Sequence, residues 1–322
     1  MITITVIGEG AWGTAVATLL AHNGHKVFLW CHDEKVKHAL EATRTNDRYL
    51  PGIQLPETII PVTDLNVALS QSSWVFEATP IKYLRSVLET INPHVCKKKP
   101  WVILSKGIEN NTLMLPGQII NSVLGSEVPQ VVFFGPSFAH DLANRHITAV
   151  TLASHDEKLA LSLQAVLASD YFKSKISSDP VGVQLCGALK NVIALSIGML
   201  SGAGYGENTK AFVLTQGLQE MVDCVVACGG HKETVYGLAG VGDLILTSMS
   251  HHSRNVKVGV LLGQGKKLDT ILQETGMIPE GINTLISIHE LIQQKNLKMP
   301  LFEGIYCVVF GNTSIQSLLQ QL

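Results

Sequence analysis

The sequence predicts an α/β domain with a mostly parallel sheet, followed by an all-helical domain. At 322 residues the chain is too long for one ordinary core and long enough for two. Short β-branched or aromatic runs alternate with helical patterns in the first half, as in parallel βα units. Beyond residue 181 helical periodicity continues with hardly another strand. We therefore predict domains at 1–179 and 180–322, with the boundary near Ser178 to Pro180.

The predicted strands of the first domain are short and rich in β-branched and aromatic residues. The first is followed by glycines and then by a helical pattern over 14–22, which Asn23-Gly24 ends. The predicted strands are 2–7, 26–30, 74–79, 101–105, 131–134, 148–153 and 172–176.

The predicted helices of the second domain follow apolar periodicity between glycine-rich breaks. They span residues 181–200, 209–227, 255–264, 281–294 and 302–309. This segment has no detectable internal repeat, so we expect one helical domain rather than an array of repeats.

Composition argues against several classes of protein. Hydrophobic residues make up 46% and charged residues 16%, with a net charge of −2, which indicates neither disorder nor attraction to nucleic acid. The most apolar stretch, 181–200, carries Gln184, Lys190 and Asn191, so we expect no membrane span. The amino terminus has no pattern of a secretory signal, and we expect a cytoplasmic protein.

The six cysteines are scattered without a C-x-x-C pair. Most lie in apolar segments, which is typical of reduced core thiols, so we expect no disulfide. Cys224 and Cys228 are one helical turn apart with His231 beyond them, but a fourth metal ligand is not apparent. We therefore predict no metal site.

A glycine motif joins the first strand to the first helix. Gly8, Gly10 and Gly13 follow the pattern G-x-G-x-x-G. Gly8 permits a tight turn, Gly10 allows the backbone to approach a pyrophosphate, and Gly13 lets the helix pack closely on the sheet. The alternative is a glycine turn that binds nothing, but the position between strand and helix favours a dinucleotide in a Rossmann-type domain.

Cofactor choice depends on the end of the second strand. NAD-specific sites usually have an acid there, whereas this strand ends Trp30-Cys31-His32-Asp33, with the acid after a histidine. Protonated His32 could bind a 2′-phosphate, neutral His32 could stack on adenine, or the side chain could be merely solvated. We predict NADP(H) as the cofactor, with NAD(H) as a second or additional possibility.

Lys190 is the strongest catalytic candidate. Its helical neighbours at 186, 187, 193 and 194 are apolar or small, and burial of a lysine lowers its pKa. A lowered pKa suits an amine that exchanges a proton with a substrate near neutral pH. A lysine that extends from a core helix into solvent is the alternative.

Other polar residues follow strands or glycine breaks. Lys106 follows a predicted strand, at the sheet edge where ligands of such folds bind, and the turn at 135–139 follows another. Asp243 lies in a glycine segment. Residues 253–255, Ser-Arg-Asn, precede a predicted helix, where they are either a phosphate site or an ordinary helix cap.

Six motifs in one order give the chain a family resemblance. They are Gly8-Glu-Gly-Ala-Trp-Gly-Thr14, Leu104-Ser-Lys-Gly-Ile108, Gly135-Pro-Ser-Phe-Ala139, Lys190-Asn191, Ala239-Gly-Val-Gly-Asp243 and Ser253-Arg-Asn255. Over nearly the whole chain they resemble bacterial NAD(P)-dependent glycerol-3-phosphate dehydrogenases. The resemblance implies a Rossmann domain and a helical domain laid out as in 6-phosphogluconate dehydrogenase-like proteins.

The resemblance also implies an activity. The enzyme would interconvert dihydroxyacetone phosphate and sn-glycerol 3-phosphate for phospholipid synthesis, as a homodimer, with Lys190 as the proton donor and acceptor. Catalytic roles are implied for Lys190, Lys106 and Asp243. Substrate contacts are implied for Lys106, Gly135, Ser137, Lys190, Asp243, Ser253, Arg254 and Asn255. Cofactor contacts are implied for Ala11, Trp12, His32, Lys106, Ala139, Arg254, Ile278 and Glu280, beside the three glycines of the motif.

Four positions depart from the family's usual residues. Glu9 and Ala11 replace the common Ala and Ser, His32 lies where Arg is frequent, and Ser137 occupies a usual Thr position. These differences concern the choice of cofactor rather than the reaction.

Two other functions fit parts of the pattern. A β-hydroxyacid or ketopantoate reductase has the same two-domain layout but acts on a carboxylate. A non-catalytic NAD(P)-binding redox sensor would keep Gly8 to Gly13 but would not need Lys190, Asp243 and Arg254.

Overall fold

The computed structural model describes residues 1–95, 98–276, 279–311 and 313–322. Their contacts form two compact units, Met1–Ser105 with Pro116–Pro180 and Lys106–Leu115 with Val181–Leu322. The segment Lys106–Leu115 thus belongs to the second unit although the chain reaches it from the first. The functional division into a cofactor domain at 1–179 and a substrate domain at 180–322 stays a prediction.

The first unit is a sheet with helices between its strands. Its strands are β1 Thr3–Ile7, β2 Lys26–Trp30, β3 Thr45–Asn46, β4 Leu50–Gln54, β5 Ile59–Val62, β6 Trp74–Glu77, β7 Trp101–Ile103, β8 Gln130–Phe134, β9 Thr148–Ala153 and β10 Phe172–Ser177. Its helices are α1 Ala11–His22, α2 Glu34–Thr43, α3 Leu65–Gln71, α4 Ile81–Glu89, α5 Pro116–Leu124, α6 Ala139–Ala143 and α7 Glu157–Leu167, with a 3₁₀ turn at Pro93–Val95.

Eight strands form one sheet in the order β10-β9-β8-β7-β6-β1-β2-β5. All neighbouring pairs are parallel except β8 and β9, which are antiparallel. The central strands are almost wholly buried because helices cover the sheet, which is why they are mostly apolar rather than strictly alternating. The predicted mostly parallel, Rossmann-type sheet is confirmed.

All seven predicted strands are present, with bounds that differ by at most two residues. Three strands were not predicted. β5 pairs with β2 at the edge of the sheet, and its Pro61 masked the strand pattern because proline is confined to edge positions. β3 and β4 form a separate two-stranded antiparallel sheet.

The second unit is helical. Its helices are α8 Pro180–Gly202, α9 Glu207–Ala227, α10 Lys232–Val235, α11 Asp243–Met249, α12 Arg254–Gly263, α13 Leu268–Thr275, α14 Glu280–Lys295, α15 Pro300–Phe310 and α16 Ile315–Gln321, with a π-helical turn at Leu238–Gly242. The five predicted helices correspond to α8, α9, α12, α14 and α15. The shorter ones were missed because a helix of one or two turns shows too little periodicity.

Helix α8 is the centre of this unit. Every residue from Gly182 to Leu200 is buried. Among the described residues α8 is the one helix long and apolar enough to cross a membrane, but its apolar window is wholly buried inside the protein. A core helix of this kind needs no bilayer to cover it.

Close packing brings α12 against α8. A Cβ atom at Gly259 would lie 2.2 Å from the carbonyl oxygen of Leu195, so only glycine permits the approach. Gly263 meets the backbone of Met199 in the same way. The contact places the start of α12 beside the middle of α8, where Lys190 and Asn191 lie.

Candidate active site

Lys190 is buried in the helical unit. Its residue is 5% exposed, and its ammonium group donates to Asp243 Oδ1 at 2.6 Å and to Thr247 Oγ1 at 2.7 Å. The ammonium therefore does not extend to solvent, contrary to the alternative considered from the sequence. Burial, with a smaller contribution from the neighbouring Lys106, lowers the pKa of Lys190 to about 7, although Asp243 opposes the shift.

Asp243 joins two lysines. It begins α11 directly after the π-helical turn, and its residue is 2% exposed. Its Oδ2 accepts from Lys106 Nζ at 2.7 Å while Oδ1 accepts from Lys190. Burial by itself raises the pKa of Asp243, but the two ammonium groups more than offset it, so the pKa lies below its usual value. The cluster has one net positive charge when both lysines are protonated.

The local sequence explains how Asp243 is presented. A Cβ atom at Gly240 would lie 1.9 Å from the carbonyl oxygen of Val235, so the π-helical turn closes tightly only around a glycine. The turn carries the chain into α11, whose i and i+4 positions, Asp243 and Thr247, share one face. Both side chains therefore meet the same ammonium group.

Lys106 is the most accessible member of the cluster. Its side chain is 17% exposed, against 6% for Lys190 and 2% for Asp243. Because it belongs to the segment 106–115, it is part of the same unit as its partner. A partly exposed ammonium beside a buried acid–lysine pair can contact a ligand oxygen while the pair stays desolvated.

Polar side chains continue from the cluster along α8. Asn191 Oδ1 accepts from Asn255 Nδ2 at 3.0 Å, and Asn255 Oδ1 accepts from the backbone amide of Gly281 at 2.9 Å. Asn191 Nδ2 donates to Glu280 Oε2 at 3.4 Å. Burial raises the pKa of Glu280, against the opposing charge of Arg254. These bonds join the starts of α12 and α14 to the middle of α8.

Residues 253–255 lie at the amino terminus of α12. Ser253 is its N-cap and accepts from the amide of Val256 at 3.3 Å, so the cap considered from the sequence is present. Arg254 is exposed, whereas Ser253 and Asn255 are buried. The cap does not preclude an anion here, because amides of the first turn and an exposed guanidinium both favour negative charge.

The glycine turn of the first unit fits a dinucleotide. Gly8 has φ +113°, and a Cβ atom at Gly13 would lie 2.0 Å from the carbonyl oxygen of Gly8. A Cβ atom at Gly10 would meet nothing within 4 Å, so that side of the turn is open. Gly10 is also the N-cap of α1 and has no side chain of its own to occupy the first amides of the helix. This cradle suits a pyrophosphate.

The remaining predicted residues of the first unit are near the ends of strands. Trp12 packs edge-on against Phe133, with ring centroids 5.8 Å apart, and His32 is exposed beside Trp30. Ser137 Oγ donates to the carbonyl oxygen of Gly135 at 2.8 Å, just before α6 begins at Ala139. Ala11 begins α1. Ile278 lies outside the described residues.

Two buried polar residues were missed from the sequence. Thr247 contacts Lys190, and its spacing of four residues from Asp243 is a signal only once α11 is known to be a helix, which the sequence does not predict. Glu77 ends β6 with no exposure; it accepts from the Thr79 amide at 2.6 Å and the Ser105 hydroxyl at 2.7 Å. Burial raises its pKa to about 7. An acid within the apolar run Trp74-Val-Phe-Glu77 was its signal.

In the described part of the chain, no three His, Cys, Asp or Glu side chains come together as metal ligands. The cysteines that the structure describes are free thiols: Cys31, Cys186, Cys224, Cys228 and Cys307.

Models of one protein family match both halves of the chain. The amino-terminal model of NAD-dependent glycerol-3-phosphate dehydrogenase matches residues 3–160, and the carboxy-terminal model matches residues 179–320. A glycerol-3-phosphate dehydrogenase [NAD(P)+] of Geobacillus thermodenitrificans is 42% identical over 324 residues, covering 100% of this chain and 94% of the relative. The motifs that carried the resemblance thus lie within a match over the full length.

Solved structures of glycerol-3-phosphate dehydrogenases are also similar to this chain. The glycerol-3-phosphate dehydrogenase of Coxiella burnetii aligns with a TM-score of 0.93 at 32% identity, covering 99% of this chain and 98% of that one. A ketopantoate reductase of Ralstonia eutropha aligns with a TM-score of 0.59 at 16% identity over 99% of both chains, which shows a shared fold alone. The chain belongs to the NAD(P)-dependent glycerol-3-phosphate dehydrogenase family of oxidoreductases.

Proposed function

We propose that this chain catalyses the reversible reduction of dihydroxyacetone phosphate to sn-glycerol 3-phosphate with NAD(P)H, and that Lys190 exchanges the proton. The observation that carries the proposal is the buried Lys190 ammonium, which contacts Asp243 and Thr247 in a chain of this family. A ketone oxygen that becomes an alcohol needs one proton, and a lysine with a pKa of about 7 can give it or take it near neutral pH.

The residues divide this work. A bound nicotinamide supplies or accepts the hydride. Lys190 donates its proton to the ketone oxygen and becomes a neutral amine, and in the reverse direction it accepts the proton of the alcohol. Asp243 keeps the ammonium oriented toward one position, and Lys106 supplies a second positive charge for the oxygen as negative charge develops on it.

The phosphate group needs cations and amide donors. Arg254 provides an exposed guanidinium at the start of α12, and Ser253 and Asn255 flank it. We assign the phosphate to these residues, and further substrate contacts to Gly135 and Ser137. Since one Asn255 proton and its Oδ1 are already engaged, the second amide proton is the one we assign to the substrate.

The proposed cofactor contacts are the open glycine turn and the residues that match the family pattern. The pyrophosphate is assigned to Gly8, Gly10 and Gly13 with the first turn of α1. The other cofactor contacts we propose are Ala11, Trp12, His32, Lys106, Ala139, Arg254, Ile278 and Glu280.

The cellular role follows from the reaction. We propose that the enzyme works in the cytoplasm as a homodimer and makes glycerol 3-phosphate for phospholipid synthesis. Analytical ultracentrifugation tests the dimer, because a single species of twice the chain's 34.8 kDa is expected.

The test of the reaction is the change in absorbance of NADPH, and separately of NADH, when dihydroxyacetone phosphate is added to purified protein. Ketopantoate, a carboxylate ketone, is the control substrate. Rapid oxidation with the phosphate ketone alone supports the proposal. Oxidation with ketopantoate alone would favour the related reductase, and cofactor binding with neither oxidation would favour a redox sensor.

A further inference from the structure

Hydrogen bonds fix both the backbone carbonyl and the side-chain carboxylate of Glu9 in the glycine turn. Its backbone carbonyl accepts from Asn46 Nδ2 at 2.8 Å and from the Thr14 hydroxyl at 3.1 Å. Its carboxylate accepts from the amide of His32 at 3.1 Å and from the amide of Asp33 at 3.3 Å. The residue is 7% exposed. The side chain is therefore fixed, with its two oxygens directly after the carboxyl end of β2.

That position is where a Rossmann-type domain meets the adenosine ribose of its cofactor. The acid that binds the ribose hydroxyls usually comes from the end of the second strand. Here β2 ends at Trp30, and the Asp33 side chain is engaged elsewhere: it caps α2 through the amide of Lys35 and forms an ion pair with Arg48 at 2.7 Å. Glu9 supplies a carboxylate to the same place from the glycine turn.

We propose that Glu9 replaces the acid that is absent from the end of β2 and binds the ribose hydroxyls of the cofactor. The enzyme would then prefer NAD(H) over NADP(H). A carboxylate has about four lone-pair positions, and the two backbone amides occupy two of them. The others can accept a ribose hydroxyl. The inference rests on the proposed cofactor-dependent reaction and refines its choice of cofactor.

A 2′-phosphate would meet two obstacles at this position. Its charge would lie beside that of Glu9, and like charges in contact oppose binding strongly. The amides of His32 and Asp33, which could otherwise bind a phosphate, are already occupied by the carboxylate. Exposed cationic side chains do lie nearby, among them Lys35 and Arg48. Arg48 is paired with Asp33, and exposed charges are screened by water and salt, so Glu9 outweighs them.

This reverses the expectation from the sequence, where His32 favoured NADPH. The histidine is exposed, whereas Glu9 is buried and directed by four hydrogen bonds. Alanine at this position would remove the charge and free both amides. A single substitution, Glu9→Ala, should therefore change the preferred cofactor.

The test measures dissociation constants of NADH and NADPH by calorimetry without substrate, in the parent protein, Glu9→Ala and Glu9→Gln. We expect the parent to bind NADH at least about tenfold more tightly than NADPH. In Glu9→Ala the NADPH constant should fall by about tenfold or more, and the NADH constant should rise by about tenfold, from the loss of a charged hydrogen bond. Glu41→Gln, at an exposed position of α2, is the control for net charge.

Glu9→Gln keeps the shape of the side chain, so it decides the question if Glu9→Ala does not fold. Equal affinities in the parent, or a variant that shifts both constants alike, would overturn the inference while the proposed reaction stands. If the parent binds neither cofactor, the proposed reaction and the inference fail together. A response of Glu41→Gln equal to that of Glu9→Gln would also overturn it, since the effect would then be one of overall charge.

Discussion

Lys190 Nζ and Asp243 Oδ1 lie 2.6 Å apart inside the helical unit, although 53 residues separate them in the chain. Two effects act on the Lys190 ammonium in opposite directions. Burial drives the ammonium toward its neutral form, and the carboxylate keeps it charged. The result is an amine with a pKa of about 7, ready to exchange a proton rather than to serve as a permanent cation.

Removal of this amine should stop the chemistry but not cofactor binding. In Lys190→Met we expect kcat to fall by about 10² to 10⁴, the usual contribution of a positioned acid or base. The dissociation constant of the preferred cofactor should change little, and Asp243 keeps Lys106 as a partner. Lys210→Met, at a partly exposed lysine paired with Glu207, is the control. Turnover near that of the parent in the Lys190 variant would remove Lys190 from the mechanism.

Asp243 should control the pH dependence. It raises the pKa of Lys190, so in Asp243→Asn that pKa should drop below about 7. Glycerol 3-phosphate oxidation needs the neutral amine, and the rise of kcat/KM with pH should then begin at lower pH than in the parent. Dihydroxyacetone phosphate reduction needs the protonated amine and should decline from lower pH. Asp223→Asn, at an exposed position, is the control. If the pH profiles of Asp243→Asn do not shift relative to the parent, Asp243 does not set the pKa of Lys190.

Arg254 should determine the affinity for the phosphate. Its guanidinium is exposed at the start of α12, so Arg254→Ala should leave the free energy of unfolding almost unchanged. Loss of a charge-assisted hydrogen bond should raise KM for dihydroxyacetone phosphate roughly 10- to 100-fold. Lys257→Ala, one turn further along the same helix and also exposed, is the matched control. Equal KM values in both variants would make Arg254 part of the cap alone.

Glu77 should make stability depend on pH. Burial raises its pKa from 4.5 to about 7, so the folded protein retains a proton that the unfolded chain has already lost. The stability associated with the neutral acid is complete below pH 4.5 and is lost as pH rises to about 7. The shift corresponds to about 3 kcal/mol.

The measurement compares free energies of unfolding in urea between pH 5 and 8. Glu77→Gln does not titrate, so its stability relative to the parent should increase across this range. Glu127→Gln, at an exposed loop position, should show a constant difference. A Glu77→Gln difference that is equally flat would mean that Glu77 is ionised in the folded protein.

Most of the architecture could be predicted from local patterns. The strand before Gly8 and the helix after Gly13 are visible in the sequence because their periodicity and their glycines are local properties. Strand β5 and helix α11 could not be predicted in the same way. A four-residue edge strand with a proline, and a helix of seven residues, depend on neighbours for their stability rather than on their own pattern.

Some residues of the candidate site could likewise be selected from the sequence, and others could not. Lys190 could be selected because a lysine among apolar helical neighbours is unusual wherever it lies. Thr247 and Glu9 could not, since one is an ordinary helix residue and the other an ordinary turn residue until their partners are known. Glu9 meets the amides of His32 and Asp33 only because β1 and β2 are neighbours in the sheet.

By itself the sequence determined the order of the main strands and helices, the glycine turn of a dinucleotide domain and the family to which the chain belongs. Those features follow from residues close together in the chain, where backbone geometry and side-chain periodicity act directly. The tertiary structure alone decided that Asp243 joins Lys106 and Lys190, from 137 and 53 residues away. Hydrogen bonds and charges act over a few ångströms, so which ones form is set by packing and not by separation along the chain.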